Sequence, residues 1–388
     1  MRNVFAALAC LLLMFSLAQA QGATPTISQL FAFYCNSQGT SCPYGVEPAL
    51  SPLQFANGNL YGVTLFGGQG KNAGGTVWQV NTAAKTTVVH TFKPSAPGKF
   101  ANGRSPVIGF AEGADHNLYG FTQYGGSTNR GVMYKSLPSG AFQVLHNFCT
   151  GACDDISGPM ILGQDGNFYG VQTSGAAIFR MTPTGTYSVV LALNPATQGA
   201  AANLIQGKDG NFYGTGALGS ETECDQQGIV FKMTPTGAYS ILYTFATAEF
   251  PSAALVQASD GNLYGSVAST IFRLTPAGAL STIYSLEGED GFGVNQILQA
   301  SDGNLWVLSQ DGGPAPTRPG EIFAVSLQGS KIAAASLDCA TTGCGPSGMI
   351  QGSDGAFYGI AQLGGSAPSQ VPLGTVFKVD AGLPPLAH

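Results

Sequence analysis

Acidic side chains occur in three tight groups, and adjacent carboxylates are the residues of this sequence most suited to chemistry. Neighbouring carboxylates can hold Ca²⁺ through oxygen ligands or act as a general acid and base. Solvated loops that keep a protein soluble are the alternative interpretation. We therefore predict no cofactor and no bound metal, with Ca²⁺ as the one ion these groups could take. The groups are Asp154 and Asp155; Glu221, Glu223 and Asp225; and Glu287, Glu289 and Asp290.

Arginine and aromatic residues occur in the same kind of loop segment. Arg130 and Arg318 are the basic candidates for ligand contact, whereas Tyr124, Phe66, Phe100 and Phe250 could offer flat apolar surface to a sugar or a peptide. Packing against their own loops is the alternative for the aromatic residues. The predicted ligand-binding residues are Tyr124, Arg130, Asp154, Asp155, Glu289, Asp290 and Arg318. No catalytic residue is predicted, because the sequence has no G-x-S-x-G, H-E-x-x-H or P-loop motif.

One phrase, typified by DGNFYG, occurs seven times and predicts the elements that position these residues. Its aromatic residues are separated by 58, 50, 44, 51, 42 and 52 residues, which are propeller-blade lengths. Asp-Gly tolerates positive φ at both central positions of a two-residue hairpin turn, and the glycine after the aromatic residue lets backbone pass close to a packed ring. The aromatic residues are Tyr61, Tyr119, Tyr169, Tyr213, Tyr264, Trp306 and Tyr358.

Each repeat contains four short strands, which we call A to D, separated by turn residues. Four such strands make one antiparallel propeller blade, so the sequence predicts an all-β, seven-bladed β-propeller. The seventh repeat ends after its C strand. The segment TISQLFAFYC, residues 26–35, reads like a D strand and is predicted to complete that last blade and close the ring.

This strand order divides the connections between two rims. The A–B and C–D connections form a uniform turn rim, built from DGN and TPTG turns. The B–C and D–A connections form a loop rim, which is long and differs in every blade. A variable rim on a repeated scaffold is where binding is expected. The charged residues on the C strands recur once per blade and are predicted to be structural; they are Lys135, Arg180, Lys232, Arg273 and Lys378.

Six cysteines form three close pairs, each just after a D strand. Local disulfides in an oxidising compartment explain this placement, and thiolate metal sites are the less economical alternative. Cys224 is left over, either as a free thiol or for pairing between chains. The predicted disulfides join Cys35 with Cys42, Cys149 with Cys153, and Cys339 with Cys344.

The N-terminus and the composition limit compartment and partners. Residues 1–20 combine Arg2, an apolar run and a small-x-small ending, which is typical of a signal peptide. An uncleaved anchor is the alternative, but the run is short for a span. We predict a secreted or periplasmic protein with one propeller domain over residues 21–388 and no membrane span after cleavage. With 15 Lys and Arg scattered through a chain of net charge −6, nucleic acid is excluded as partner.

The repeats DGNFYG, KMTPTG and LYTF resemble the GloVer tandem repeats of secreted bacterial proteins over nearly the whole mature chain. That resemblance implies a repeat fold and export but no particular activity. The DGNLW phrase is also similar to seven-bladed streptogramin (virginiamycin B) lyase propellers. A lyase of that type needs a histidine at the channel mouth, whereas His90 and His146 are predicted inside D strands and His116 in an A–B turn.

Two functions remain compatible with these observations, and the sequence favours the first. In the first, a secreted, non-catalytic propeller binds an extracellular polysaccharide or protein through the loop rim. In the second, a carboxylate-dependent hydrolase or lyase acts on a carbohydrate or lactone at the channel mouth. An envelope protein with a purely structural role, linked through Cys224, is a third possibility.

Overall fold

The computed structural model describes residues 24–386 apart from 40, 71, 82, 107, 149–155, 173–176, 195, 220–225 and 368–369. Its strands form seven four-stranded antiparallel sheets, each in the predicted order A to D. The chain is therefore a seven-bladed β-propeller. Among the described residues, the only helical segment is one 3-10 turn, Gly288–Asp290. The predicted signal peptide lies outside the described residues.

The strands follow in chain order through the blades. The first half comprises β1 (Thr26–Cys35); β2 (Val46–Gln54), β3 (Leu60–Phe66), β4 (Thr76–Val80) and β5 (Thr86–Thr91) of blade 1; β6 (Ile108–Glu112), β7 (Leu118–Phe121), β8 (Val132–Ser136) and β9 (Phe142–Asn147) of blade 2; and β10 (Ile156–Leu162), β11 (Phe168–Gln172), β12 (Ala177–Met181) and β13 (Tyr187–Ala192) of blade 3. The second half comprises β14 (Ala200–Gln206), β15 (Phe212–Leu218), β16 (Gln227–Met233) and β17 (Tyr239–Thr247) of blade 4; β18 (Val256–Gln257), β19 (Leu263–Val267), β20 (Thr270–Leu274) and β21 (Leu280–Ser285) of blade 5; β22 (Val294–Gln299), β23 (Leu305–Ser309), β24 (Glu321–Val325) and β25 (Lys331–Ser336) of blade 6; and β26 (Cys344–Gln351), β27 (Phe357–Leu363) and β28 (Val371–Asp380) of blade 7.

The N-terminal strand closes the ring as predicted. Strand β1 pairs antiparallel with β28, from Thr26 opposite Asp380 to Cys35 opposite Val371. Blade 7 therefore takes its D strand from the start of the chain and its other three strands from the end. This pairing leaves no blade with a missing outer strand, which removes an edge that would otherwise be open to aggregation.

The repeated turn differs from the predicted two-residue form. Only its glycine has positive φ, 78° at both Gly166 and Gly210, whereas Asp165 stays outside the left-handed region. The Gly166 N–H donates to the Gly163 carbonyl at 2.9 Å, and the Asp165 carboxylate accepts the Asn167 N–H at 3.1 Å. The aspartate side chain thus satisfies the turn backbone two residues on, which makes a second left-handed residue unnecessary.

The aromatic residue of each phrase is buried and bonded back to its own turn. In blade 4 the Tyr213 hydroxyl donates to Asp209 at 2.8 Å, and Lys232 of the C strand lies 3.1 Å from the same carboxylate. Lys135 and Lys378 make the same contact in blades 2 and 7. The repeated aspartates and C-strand lysines are therefore framework residues. Close glycine packing is also confirmed, because a Cβ at Gly62 would lie 2.0 Å from Trp78.

Glutamines on the A strands join neighbouring blades at the turn rim. Each accepts a backbone N–H from the turn of an adjacent blade and donates to its own turn, as Gln257 does with Lys208 at 2.8 Å and Gly261 at 3.1 Å. Glu112 and Leu162 occupy the equivalent positions in blades 2 and 3. This belt explains why the turn rim tolerates so little variation. Its members are Gln54, Gln206, Gln257, Gln299 and Gln351.

Candidate functional site

Two of the three predicted disulfides are present on the loop rim. Cys35 bonds Cys42 in the connection from blade 7 to blade 1, and Cys339 bonds Cys344 in the connection from blade 6 to blade 7. Each closes a short D–A loop. Cys149, Cys153 and Cys224 lie outside the described residues. The disulfide between Cys149 and Cys153 and the unpaired or interchain state of Cys224 therefore stay predictions.

The A strands meet around the propeller axis, and the A strand of blade 1 contains a bulge that contacts blade 6 across it. The register of β2 against β3 shifts between Ala49 and Leu53, and Leu50 has a φ of 64°. The bulge brings the Ser51 hydroxyl within 3.1 Å of Gln296 Oε1 in blade 6. That oxygen also accepts the Met349 N–H at 2.7 Å. The polar groups that meet beside this bulge are thus a serine hydroxyl, a glutamine side-chain amide and a backbone N–H.

A wide opening on the loop rim lies between blades 1 and 2. It has a volume of about 660 Å³ and is lined by the D–A loop that joins the two blades and by the B–C loop of blade 2. A second opening of about 320 Å³ shares Gly98 and Phe100 with the first. We call the two together the loop-rim cleft. Its polar lining includes Ser95, Lys99, Ser127, Asn129, Asn147 and Arg104.

Backbone hydrogen bonds hold the walls of the loop-rim cleft in place. The D–A loop pairs with the B–C loop of blade 2 through Arg104 and Tyr124, at 2.8 and 3.2 Å, and with the B–C loop of blade 1 through Ser105 and Gly74, at 2.7 Å. Glycine is required at the contacts, because a Cβ at Gly74 would lie 2.6 Å from Arg104 Cβ. The cleft is therefore a preformed feature of two blades joined by one loop.

Arg104 lies beside two aromatic rings at this cleft. Its guanidinium carbon is 5.4 Å from the Phe100 ring centre and 5.1 Å from that of Tyr124, so both contacts are of cation–π type. Tyr124 and Phe66 are 41% and 47% exposed, whereas Phe100 is buried. The cleft therefore combines one fixed cation with accessible aromatic faces.

A second group of ionisable residues lies between blades 5 and 6 near the same rim. The Asp290 carboxylate accepts a hydrogen bond from the Tyr284 hydroxyl at 2.6 Å and forms an ion pair with Lys331. The Lys331 Nζ also lies 3.3 Å from Glu321 Oε1. Asp290 and Glu321 are each 3% exposed. We call these four residues the carboxylate cluster.

Burial and hydrogen bonding act differently on its two carboxyl groups. Burial alone raises the pKa of Asp290, but hydrogen bonds from Lys331 and Tyr284 outweigh it and hold that pKa below its ordinary value. Burial also raises the pKa of Glu321, and Lys331 offsets this only in part. Glu321 Oε2 and the neighbouring Ser309 hydroxyl are buried without hydrogen-bond partners among the described residues. The cluster therefore holds one well-stabilised carboxylate and one poorly stabilised carboxylate.

The predicted ligand residues fall in several places on the loop rim. Tyr124 lies beside Arg104, a lining residue of the loop-rim cleft, but does not itself line either opening, and Arg130 is exposed next to Asn129, which lines it. Glu289 is exposed, whereas Asp290 is buried in the carboxylate cluster. Arg318 lies in the B–C loop of blade 6 with its guanidinium carbon 5.9 Å from the Phe292 ring centre. Asp154 and Asp155 lie outside the described residues, as do Glu221, Glu223 and Asp225.

The histidines lie where the sequence predicts them. His90 is in β5 and stacks on Phe142 of blade 2 at 3.8 Å between ring centres. Burial, helped by the charge of Lys93, lowers the pKa of His90 to about 4. His116 is in an A–B turn and contacts Glu112 at 2.7 Å. These contacts are those of packed or turn residues.

Sequence reasoning missed Arg104, Lys99 and Asn147 as cleft residues. One signal could have found the first two, because residues 48–111 contain no Asp or Glu but contain Lys71, Lys85, Lys93, Lys99 and Arg104. No helix within the described residues has the length and apolar character needed to span a bilayer. Across that same part of the chain, His, Cys, Asp and Glu form no group of three or more suited to a metal ion.

The fold and this rim define a closed, repeat-built β-propeller that carries a preformed cleft between blades 1 and 2. The chain belongs to the Gloeobacter/Verrucomicrobia repeat family, whose sequence model matches residues 14–215, just over half of the 388 residues. No curated protein is significantly similar to it.

Solved lyase structures share the fold at low sequence identity. A streptogramin B lyase is 14% identical, with a TM-score of 0.61 over 92% of this chain and 98% of that one. A catalytically inactive virginiamycin B lyase from Staphylococcus aureus with quinupristin is 13% identical, with a TM-score of 0.60 over 92% of this chain and 99% of that one. At these identities the likeness shows the propeller fold alone.

Proposed function

We propose that this protein is exported and binds an extracellular polysaccharide through the loop-rim cleft, without catalysis. The observation that carries the proposal is the cleft itself, a rigid opening of about 660 Å³ on the variable rim, lined by hydroxyl, amide and aromatic groups. Hydroxyl and amide side chains both donate and accept hydrogen bonds, so they match the mixed donor and acceptor pattern of a sugar. The exposed aromatic side chain of Phe66, which lines the smaller opening, suits the apolar face of a sugar ring, and exposed Tyr124 lies next to the cleft beside Arg104.

A polysaccharide fits this surface better than a folded protein does. Stable protein interfaces bury about 800 Å² on each partner around a desolvated apolar centre. The cleft is instead a recess lined by both polar and apolar groups, in which Asn147 accepts the Ser127 N–H at 2.8 Å. A protein ligand remains the competing outcome of the test below.

Export is supported by two observations. The N-terminal segment has the charged start, apolar run and small-residue ending of a signal peptide. The disulfides Cys35–Cys42 and Cys339–Cys344 are of the kind that persists in oxidising compartments.

The enzymatic alternative needs two carboxylates facing one substrate at the channel mouth, about 5–10 Å apart. Asp290 and Glu321, the buried carboxylates described on this rim, both contact Lys331 within the carboxylate cluster. For these reasons the binding function is the one we put forward.

A glycan array probed with the purified mature chain tests the proposal. Ala101 is exposed and lines the cleft, so Ala101→Trp should fill it and reduce polysaccharide binding at least about tenfold. Ala340→Trp is the matched control, because Ala340 is an exposed alanine on another D–A loop.

Both variants should unfold near the temperature of the parent protein, since both positions are exposed. If the parent bound no glycan, or if Ala101→Trp bound as well as the parent, the proposal would be overturned. Binding only to protein partners in a pull-down would overturn it in favour of a protein ligand.

A further inference from the structure

The charged side chains described in the lining of the loop-rim cleft are both positive, although the whole protein is acidic. They are Lys99 and Arg104, and residues 48–111, which supply most of the lining, contain no Asp or Glu in a chain whose net charge is −6. Among the described residues, no carboxylate lines either opening of the cleft. A cleft whose charges all have one sign concentrates ligands of the opposite sign, so its natural ligand should be an anion.

Arg104 is the cation fixed at this cleft. Its hydrogen bonds in the described part of the chain are made by its backbone, to Tyr124, and its guanidinium has no carboxylate within ion-pair distance there. Its Nε–H is buried without an acceptor among the described residues. The neighbouring Phe100 and Tyr124 rings restrict the side chain. A restricted guanidinium that has no carboxylate beside it in this part of the chain is suited to a planar anion, because the two N–H groups of its outer edge match the two oxygens of a carboxylate.

We propose that the loop-rim cleft recognises a carboxylate-bearing polysaccharide, a polymer of uronic acid units, with Arg104 binding the carboxylate. This inference rests on the proposed function and adds the class of ligand. Lys99, which lines the larger opening, supplies a second cation for a neighbouring sugar unit. Ser95, Ser127 and Asn129 line the same opening and bind sugar hydroxyls. Arg104 borders the smaller opening, where Phe66 offers its ring face.

The experiment compares four polymers by calorimetry with the full mature chain. They are polygalacturonate, its fully methyl-esterified form, dextran sulfate and poly-glutamate. The ester keeps the sugar backbone and removes the charge. We expect polygalacturonate to bind and the ester to bind at least about tenfold more weakly, because the ester lacks the charge-assisted hydrogen bonds to Arg104. Raised salt should weaken only the binding of the charged polymer, because salt screens its attraction to Arg104.

Arg104→Gln should weaken polygalacturonate binding at least about tenfold and leave binding of the methyl ester unchanged. Arg180→Gln is the matched control, because it removes the same charge from a C strand of blade 3, away from the cleft, and should leave both affinities unchanged. A near-parental unfolding temperature for Arg104→Gln will show that the variant is folded.

Each other outcome overturns the inference in a distinct way. Equal binding of polygalacturonate and its ester would show that the protein does not recognise the carboxylate, but would leave the proposed function intact. Tighter binding of dextran sulfate would reassign the anion to a sulfate. Equally tight binding of poly-glutamate would reassign the ligand to an acidic peptide. A folded parent chain that binds neither polygalacturonate nor any glycan on the array would overturn the proposed function as well.

Discussion

The loop-rim cleft and the carboxylate cluster lie on the same rim but use charge in opposite ways. At the cleft, Arg104 rests against two aromatic rings, and no carboxylate of the described residues lies within ion-pair distance of it. In the cluster, Lys331 lies between Asp290 and Glu321, both buried. A cation already paired within the fold stabilises structure, whereas a cation without an internal partner is available to a ligand. Burial and pairing of charge therefore separate the structural part of this rim from its candidate binding part.

The largest expected effect comes from removing the shared cation of the cluster. Lys331→Met should lower the free energy of unfolding by about 3–5 kcal/mol, because two buried carboxylates lose their partner. Lys99→Met at the cleft should change it by less than about 0.5 kcal/mol, since Lys99 is exposed. Chemical denaturation at pH 7 measures both. Similar values for the two variants would break the distinction between the regions.

A smaller effect is expected where the cleft wall is packed against blade 2. Gly103 has a φ of 86°, and a Cβ there would lie 2.2 Å from the Thr122 hydroxyl. Gly103→Ala should therefore cost about 2–4 kcal/mol through backbone strain and overpacking. Gly98→Ala has a similar φ of 71° but nothing within 4 Å, so it should cost only about 1–2 kcal/mol. Thermal unfolding of the two variants separates backbone strain, which both share, from overpacking, which only Gly103→Ala adds. Equal losses of stability would show that the cleft wall at Gly103 is not tightly packed.

The smallest effect concerns pH and the poorly stabilised carboxylate. Because the pKa of Glu321 is raised in the fold, its contribution to stability is present below its unfolded pKa and is lost as pH rises through the folded value. Glu321→Gln should consequently be more stable than the parent at pH 7 and lose that advantage near pH 4. Denaturation curves at the two pH values test this. An advantage that persisted at pH 4 would indicate that charge is not its cause.

Adjacent residues in the cluster show what sequence alone could not decide. Glu289 and Asp290 are adjacent acidic residues of one group, and nothing in the sequence around them distinguishes their roles. In the structure the first is exposed and the second is buried against Lys331. Lys331 is 41 residues further along the chain, so no local pattern announces the contact. Arg104 was missed as a cleft residue for the same reason, because its contact Tyr124 lies in a loop of the next blade.

The number of blades, their strand order and the framework role of the repeated Asp and Tyr residues could be read from the amino-acid sequence. They follow from short-range chemistry repeated seven times, since turn residues, strand alternation and aromatic spacing act within one blade, and the ring closure by residues 26–35 follows from the D strand that the last repeat lacks. In contrast, the pairing of the charged loop residues and the lining of the cleft became visible only in the folded protein. That outcome depends on contacts between loops of different blades, where burial and distance, rather than residue type, fix the role of a charge.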